Sequence, residues 1–529
     1  LFLAIAEAFY GGLSELFETV FASNKKTIFV VAAAVAVLTV FYIAKGDVLL
    51  GDAYLFQPAA QIFKDAAAQG IPHHTFYWYG GSAHFEYYGQ VYFAIAAAAD
   101  AVFSDMNFTL KIVNWLLHIA AALAVYLLAL ELTKSKKASF VAAIAYAVSY
   151  EHIARIMLHG RLMNSLMYLL FPLLLLIFEK HIKGKISKVA AAAGLSLTAA
   201  AIFLNNPGDG AFLLVSAAFY FAIRVVQLRR KMEVVQTAAI AAALFILLTS
   251  FWTIPFVLEK ATINAGARVG ELTSISFRPE ILKEIISFPG QKGIAMVYYL
   301  GVVQILLAAI AVFNLLKQRK NNTLIAVAAA AAITLFLMLV QSPRYAPAFV
   351  LALAVLGGVG SIIVAESLAA KTRNAKLLRF ITAEQIFLLL TALIVLDSAA
   401  AIVQPYYPDF SAEKKMLAER IPAEAGFRTV DLHSDRRTFY PSLTYLATKT
   451  ESLFGSLLEG APKSTNYAIA VTTKAAKERY DDRSGFSYQT LDGLYLFNVK
   501  YVVLHPEQTG NKGAGRNFKA AVGLEKQMA

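Results

Sequence analysis

The chain has no cysteine among its 529 residues. Disulfides, thiol nucleophiles and cysteine-ligated metals are therefore excluded. Charge is scarce too: 16% of residues are Asp, Glu, Lys or Arg, where a soluble domain carries about 25%. With 58% hydrophobic residues and a mean hydropathy of +0.58, neither a single soluble domain nor a disordered chain fits. Long uncharged apolar runs at this density are membrane spans. A glycine-rich phosphate loop, a Ser-x-x-Lys pattern and a His-Glu-x-x-His pattern are all missing, so nothing marks a nucleotide site or a helix-borne zinc site. No internal repeat is visible, which argues against a secondary transporter built from two related halves. Residues 1–22 hold Glu7, Glu15 and Glu18 but no Lys or Arg. A signal peptide begins with basic residues, so the segment 1–25 reads as an amphipathic, interfacial one.

What is present is apolar and periodic in length. Eleven runs read as spans: 26–44, 108–132, 138–154, 162–179, 187–204, 210–228, 234–257, 296–316, 323–341, 346–367 and 379–398. The run 89–103 is short of the ~20 residues a helix needs to cross a bilayer. Charge decides its place. The net charge is +13, and the basic residues cluster in short loops: Lys25 and Lys26; Lys134, Lys136 and Lys137; Lys180 to Lys188; Arg224 to Lys231; Lys317 to Lys320; Lys371 to Arg379. With eleven spans and a cytoplasmic N-terminus, every cluster falls inside, as the positive-inside rule requires. Counting 89–103 as a span would flip all but the first, so it reads as a helix along the outer surface. Basic residues so placed imply topology and attraction to anionic lipid rather than nucleic acid. The expected organisation is an N-terminal segment (1–25), a transmembrane domain (26–402, with a first external loop at 45–107), and an extracytoplasmic C-terminal domain (403–529). In the last, 427–432 and 494–504 read as strands and Ser411–Ile421 as a helix ended by Pro422, a small α/β or α+β domain.

The polar residues that could carry chemistry lie on the expected outer face. Asp47 and Asp52 follow the first span. Carboxylates at a membrane edge need a partner or a task; they read as a general base or a metal ligand, or else as helix caps, Asp52 for a helix over 53–68. The segment from Gly70 to Gly81 includes Trp78 and Tyr79, and Glu86 follows. Such rings form an interfacial belt or stack on sugars. The adjacent His73 and His74 point different ways on any regular element. In Tyr150–Arg161, a helix would set Glu151 beside Arg155 and Arg155 beside His159. That cluster, with Arg161, suits a phosphate, because guanidinium binds it bidentately; the alternative is mutual pairing of Glu151 with Arg155. Arg344, after Pro343, is a similar candidate or a snorkelling arginine. Asp209, in Asn205-Asn206-Pro207-Gly208-Asp209, reads as a turn residue. His118, inside a span, reads as a packing residue.

The whole pattern resembles the GT-C superfamily of membrane glycosyltransferases: an Asp-bearing first external loop, a surface helix before the second span, many spans, then an outer α/β domain. It is most similar to prokaryotic 6-pyruvoyl-tetrahydropterin-synthase-related membrane proteins and the YfhO-like proteins. Four stretches carry this: Gly70 to Gly81; His159-Gly160-Arg161-Leu162-Met163-Asn164 with Phe171-Pro172; Phe251-Trp252-Thr253-Ile254-Pro255; and Leu496 to Val503. Asp47 and Asp52 are further apart than the paired acids of many GT-C enzymes, and the Trp-Trp-Asp-Tyr-Gly signature of oligosaccharyltransferases is missing. The resemblance implies inverting transfer of a sugar from a polyprenyl-phosphate donor to a glycan, lipid or protein acceptor outside the cell membrane. Asp52, then Asp47, would be the base. Arg344, Arg161, His159 and Arg155 would bind the donor phosphate, and Trp78, Tyr79 and Glu86 the acceptor or sugar, with a divalent cation as a conceivable cofactor. Two rivals stand beside it: a catalytically inert lipid-binding or scaffold subunit, and a lipid or polysaccharide transporter.

Overall fold

The computed structural model describes residues 18–48, 52–70, 89–228, 231–259, 275–287, 299–318, 321–372, 382–401, 407, 409–421, 427–432, 439–452, 465–480 and 486–504. By internal contacts the chain divides into two units, one drawn from 1–44, 111–250 and 271–405, the other from 45–110, 251–270 and 406–529.

The first unit is helical. A helix lies at each of the expected apolar runs, and seven helices of the described chain are long and apolar enough to cross a membrane: Met106–Thr133, Asn164–Ile182, Lys188–Asn205, Pro207–Val226, Lys231–Leu258, Asn322–Val340 and Pro343–Lys371. The 28-residue Met106–Thr133 helix is about 42 Å long, more than the ~30 Å hydrocarbon core. Two expected spans differ. The run 26–44 is α-helical only over Asn24–Leu38; the Thr39 hydroxyl bonds back to the Val35 carbonyl at 2.6 Å, and Val40–Ile43 tightens into a 3-10 turn. The run 138–154 is two helices, Lys136–Val148 and Tyr150–Met157. Ser149 turns the chain between them with extended backbone (ψ 133°), its hydroxyl bonded to the Tyr146 carbonyl at 3.0 Å.

Small residues set the helix spacing. In Gly357-Gly358-Val359-Gly360, a Cβ on Gly358 would lie 2.2 Å from the Ala138 carbonyl oxygen, and one on Gly360 1.9 Å from that of Leu307. The Ala346–Thr372 helix thus touches two neighbours backbone to backbone, a close approach characteristic of membrane helices. At the basic end of the bundle two buried carboxylates gather the cations. Glu179 accepts from Arg224 Nε at 2.6 Å and Tyr220 at 2.7 Å, and Glu131 pairs with Lys134, Lys183 and Lys185. Buried acids are tolerated there because each is paired and hydrogen-bonded.

The second unit holds a three-stranded parallel sheet: β1 (Arg428–Leu432), β2 (Glu451–Ser452) and β3 (Val499–Leu504), in the order β2-β1-β3. Parallel neighbours need crossovers, and helices Phe439–Thr448, Thr465–Tyr480 and Tyr488–Leu496 lie in the connections. The expected strand 494–504 starts only at Val499: its first residues finish the Tyr488–Leu496 helix, and Asn498 turns the chain at φ +56°. Val430, Val471, Leu494 and Val502 form the core on one side of the sheet, and Phe410, Leu417, Ile421 and Val503 a second cluster. The Ser411–Arg420 helix matches the expected one. Helices Ala53–Ala68 and Val91–Phe103 belong to this unit. They pack through Phe56, Phe63 and Phe93, and Lys64 bonds Asp100 at 2.6 Å.

Candidate functional site

The polar centre of the first unit begins at a helix start. Asn206 caps Pro207–Val226: its side-chain oxygen accepts the Asp209 backbone N–H at 3.2 Å, and proline occupies the first helical position. That fits the usual chemistry of a helix N-terminus, as does an acid in the first turn. Gly210 is dictated by packing, since a Cβ there would sit 2.8 Å from the Ile202 carbonyl oxygen. The turn therefore holds Asp209 firmly, 4% exposed.

Cations converge on it. Arg344, on the 3-10 turn Pro343–Tyr345, donates to Asp209 Oδ1 at 2.6 Å. Asn164 donates to Oδ2 at 3.1 Å, and the Arg161 guanidinium lies 3.6 Å from the same oxygen. Arg155 joins from the Tyr150–Met157 helix. Its Nε bonds Glu151 Oε1 at 2.6 Å, and Tyr168 donates to Glu151 Oε2 at 2.5 Å. After that helix the chain reverses through Gly160 at φ +67°, and the Arg161 N–H bonds the Arg155 carbonyl at 3.0 Å. A small cavity of about 10 Å³ opens here, lined by Arg155, Asn164, Tyr168, Asp209 and Arg344 among others. Among the described residues, the guanidiniums of Arg155, Arg161 and Arg344 and the carboxylates of Glu151 and Asp209 thus meet in one cluster. Arg161 and Arg344 keep 17% of their side chains exposed, against 6% for Arg155, so they are the ones placed to meet a ligand.

His159 sits beside these arginines. Burial, then the charges of Arg155 and Arg161, push its imidazole down to about 4 from an ordinary 6.5, so it is neutral at physiological pH. Because the folded form resists protonation more than the unfolded one, its contribution to stability is whole above pH 6.5. It is lost as pH falls from there towards 4. Thermal unfolding of wild type against His159→Gln should therefore diverge from a shared slope only below pH 6.5, with the wild type losing more on acidification. Parallel curves from pH 7 to 4 would remove the role given to burial.

The sequence-derived phosphate residues Arg155, His159, Arg161 and Arg344 are brought together. Asp209 and Asn164 were not among the candidates, although the structure puts Asp209 at the hub. The available signal was an Asn cap followed by an acid in the first turn of an apolar span.

The external-loop acids lie in the second unit. Asp47 is held on both oxygens: Oδ2 accepts the Phe410 N–H at 2.9 Å and Oδ1 accepts Lys414 Nζ. The chain around it is pinned by Asn107, which accepts the Val48 N–H at 2.8 Å and donates to the Gly46 carbonyl at 2.9 Å. Gly46, at φ +115°, has the Tyr407 carbonyl oxygen 2.3 Å from where a Cβ would be. Asp52 stands at the cap position of Ala53–Ala68 with no capping bond from its side chain, and is half-buried. Trp78, Tyr79 and Glu86, like His73 and His74, lie outside the described residues. Among the described residues no three His, Asp or Glu side chains group to hold a metal ion. His118 is fully buried, with Nε2 on the Ala147 carbonyl at 2.8 Å and Nδ1 3.3 Å from the Tyr42 hydroxyl; it is a packing residue.

A family model described as 6-pyruvoyl-tetrahydropterin synthase related domain, membrane protein, matches residues 85–403. No curated protein matches the chain. Among solved structures, the chain is similar to the arabinofuranosyltransferase AftD from Mycobacteria, with a TM-score of 0.63 at 18% identity; the match covers 91% of this chain but 35% of that one, so this chain spans about a third of its length. It is similar also to ArnT from Cupriavidus metallidurans, bound to undecaprenyl phosphate, with a TM-score of 0.51 at 13% identity, covering 92% of this chain and 94% of that one. At such identities the likeness is one of fold, the GT-C fold.

Proposed function

The chain belongs to the 6-pyruvoyl-tetrahydropterin synthase related family of membrane proteins, and from that premise we propose that it is a membrane glycosyltransferase. In this reading it moves a sugar, with inversion, from a polyprenyl-phosphate donor to an acceptor on the outer face of the cell membrane. The observation that carries the proposal is the cluster of Arg155, Arg161 and Arg344 around Asp209. The GT-C fold supports it, and so does the lipid phosphate bound to ArnT.

The chemistry distributes roles. An acceptor hydroxyl is a weak nucleophile near neutral pH, so a carboxylate takes its proton as the oxygen attacks C1 of the sugar. Asp52 is the proposed base. Asp47, bonded to Lys414 and Phe410, is the second choice and otherwise positions the loop. As the C1–O bond breaks, its electrons pass to the lipid phosphate, whose growing charge Arg344 and Arg161 stabilise. Arg155, oriented by Glu151 and Tyr168, adds to the field, and neutral His159 is available as a hydrogen-bond partner. Trp78, Tyr79 and Glu86 are proposed to hold the sugar or acceptor.

Lipids co-purifying with the gently extracted protein provide the test. Mass spectrometry of wild type should find polyprenyl phosphate or its glycosylated form, reduced about tenfold or more in Arg344→Ala, as loss of a charge-assisted contact worth about 1.5–3 kcal/mol implies. Equal retention by both proteins would remove Arg344 from the donor site. A second reading, an inert lipid-binding or scaffold subunit, is favoured by one feature: Asp47 is spent on holding Phe410 and Lys414. Its mark would be donor lipid bound but never turned over.

A further inference from the structure

An apolar groove lies away from the arginine cluster. Helices Asn164–Ile182, Lys188–Asn205, Pro207–Val226 and Lys231–Glu259 line an open apolar groove of about 270 Å³. Alanines make the space: Ala217, Ala238, Ala241 and Ala242 line it where larger side chains would fill it, while Phe178 and Phe221, stacked at 4.0 Å, form a wall. One residue is out of character. His181, in the last turn of Asn164–Ile182, lines the groove while 6% exposed, and neither ring nitrogen has a hydrogen-bond partner. A buried imidazole without a partner is rare in a folded protein.

Three observations say what occupies the groove. Along the Lys231–Glu259 helix the lining runs from Val234 to Phe245, a rise of about 16 Å. That is close to half of the roughly 30 Å hydrocarbon core, the depth of one leaflet. The helix itself has only 17% of its apolar window buried within the protein, which is the exposure a lipid-facing helix has. At the His181 end the groove meets a basic residue: Lys188 Nζ donates to the neutral Gln236 side chain at 3.0 Å, beside the groove-lining Thr237. Basic residues at a bilayer surface attract anionic headgroups.

We propose that this groove holds one hydrocarbon chain of an anionic phospholipid from the leaflet at the Lys180–Lys188 end, with the headgroup phosphate accepting hydrogen bonds from His181 and Lys188. The phosphodiester satisfies the imidazole, and the chain replaces empty space between the helices.

The purified full-length protein, incubated with an equimolar mixture of phosphatidylglycerol and phosphatidylcholine in detergent and then washed, tests this by the lipid it retains. Wild type should keep phosphatidylglycerol in preference. His181→Leu and the groove-filling Ala241→Trp should each keep about tenfold less, and His181→Gln, which preserves a donor, should keep most of it. Hydrogen exchange in 231–245 of the wild type gives a readout without any variant: it should slow with phosphatidylglycerol and not with phosphatidylcholine. Equal retention of both lipids by wild type, undiminished phosphatidylglycerol on both groove variants, or exchange indifferent to headgroup would each overturn the proposal.

Discussion

Asp52→Asn is expected to slow sugar transfer by about 10²- to 10⁴-fold, the usual contribution of a positioned general base. The amide has the shape of the carboxylate but cannot take the acceptor's proton, so the loss should appear in the rate at saturating donor. Donor retention should be unchanged, because the proposed phosphate site is built from Arg155, Arg161 and Arg344. Release of polyprenyl phosphate from a glycosylated donor, followed by mass spectrometry in wild type and variant, measures this. Transfer within a few-fold of wild type would move the base elsewhere. Asp47→Asn gives the contrast: it weakens the bond to Lys414 and the hold on Phe410, so its first effect should be on stability.

Asp209→Asn is expected to be the most damaging change in the first unit. It leaves Arg344, bonded at 2.6 Å, and Arg161, at 3.6 Å, without their common carboxylate. Breaking a buried ion pair from one side costs about 3–5 kcal/mol, and Asp209 is the deeply buried member here, 4% exposed. The backbone cap from Asn206 survives, so the helix still starts in place and the loss is electrostatic. Thermal unfolding should show a clear fall, and co-purified polyprenyl phosphate should fall with it as Arg344 loses its anchor. Double substitution with Arg344→Ala should cost less than the two changes added together, since both remove one interaction. Strict additivity, or stability within about 0.5 kcal/mol of wild type as at an ordinary surface site, would show that Asp209 is not the hub.

Neutral His159 belongs to the same electrostatic picture. Burial and two neighbouring guanidiniums hold its imidazole down, so at the proposed phosphate site the histidine does not compete for protons above pH 6.5.

Composition and periodicity by themselves determined the membrane character and the places of the helices. These follow from local physics: an apolar run in lipid must form a helix because no water is present to satisfy its backbone. The i, i+4 pairing of Glu151 with Arg155 was legible for the same reason, as was the Ser411–Arg420 helix. Ser149 escaped that logic, because a hydroxyl can bend or end a helix according to what packs around it. The strand at 499–504 was read too long because its flanking residues, Leu494 to Leu496, have β-forming character but complete a helix. Only the tertiary structure decided the site. Arg344 meets Asp209 across 135 positions of chain, and a turn of Asn, Pro, Gly and Asp gives no sign that its acid will be buried among arginines. Asp47 and Asp52 looked alike in sequence; the fold separated them, giving one to Phe410 and Lys414 and leaving the other at a helix start. The unpartnered His181 in its groove was equally invisible. Helix formation depends on neighbours a turn away, whereas the environment of a side chain depends on which distant helices close around it.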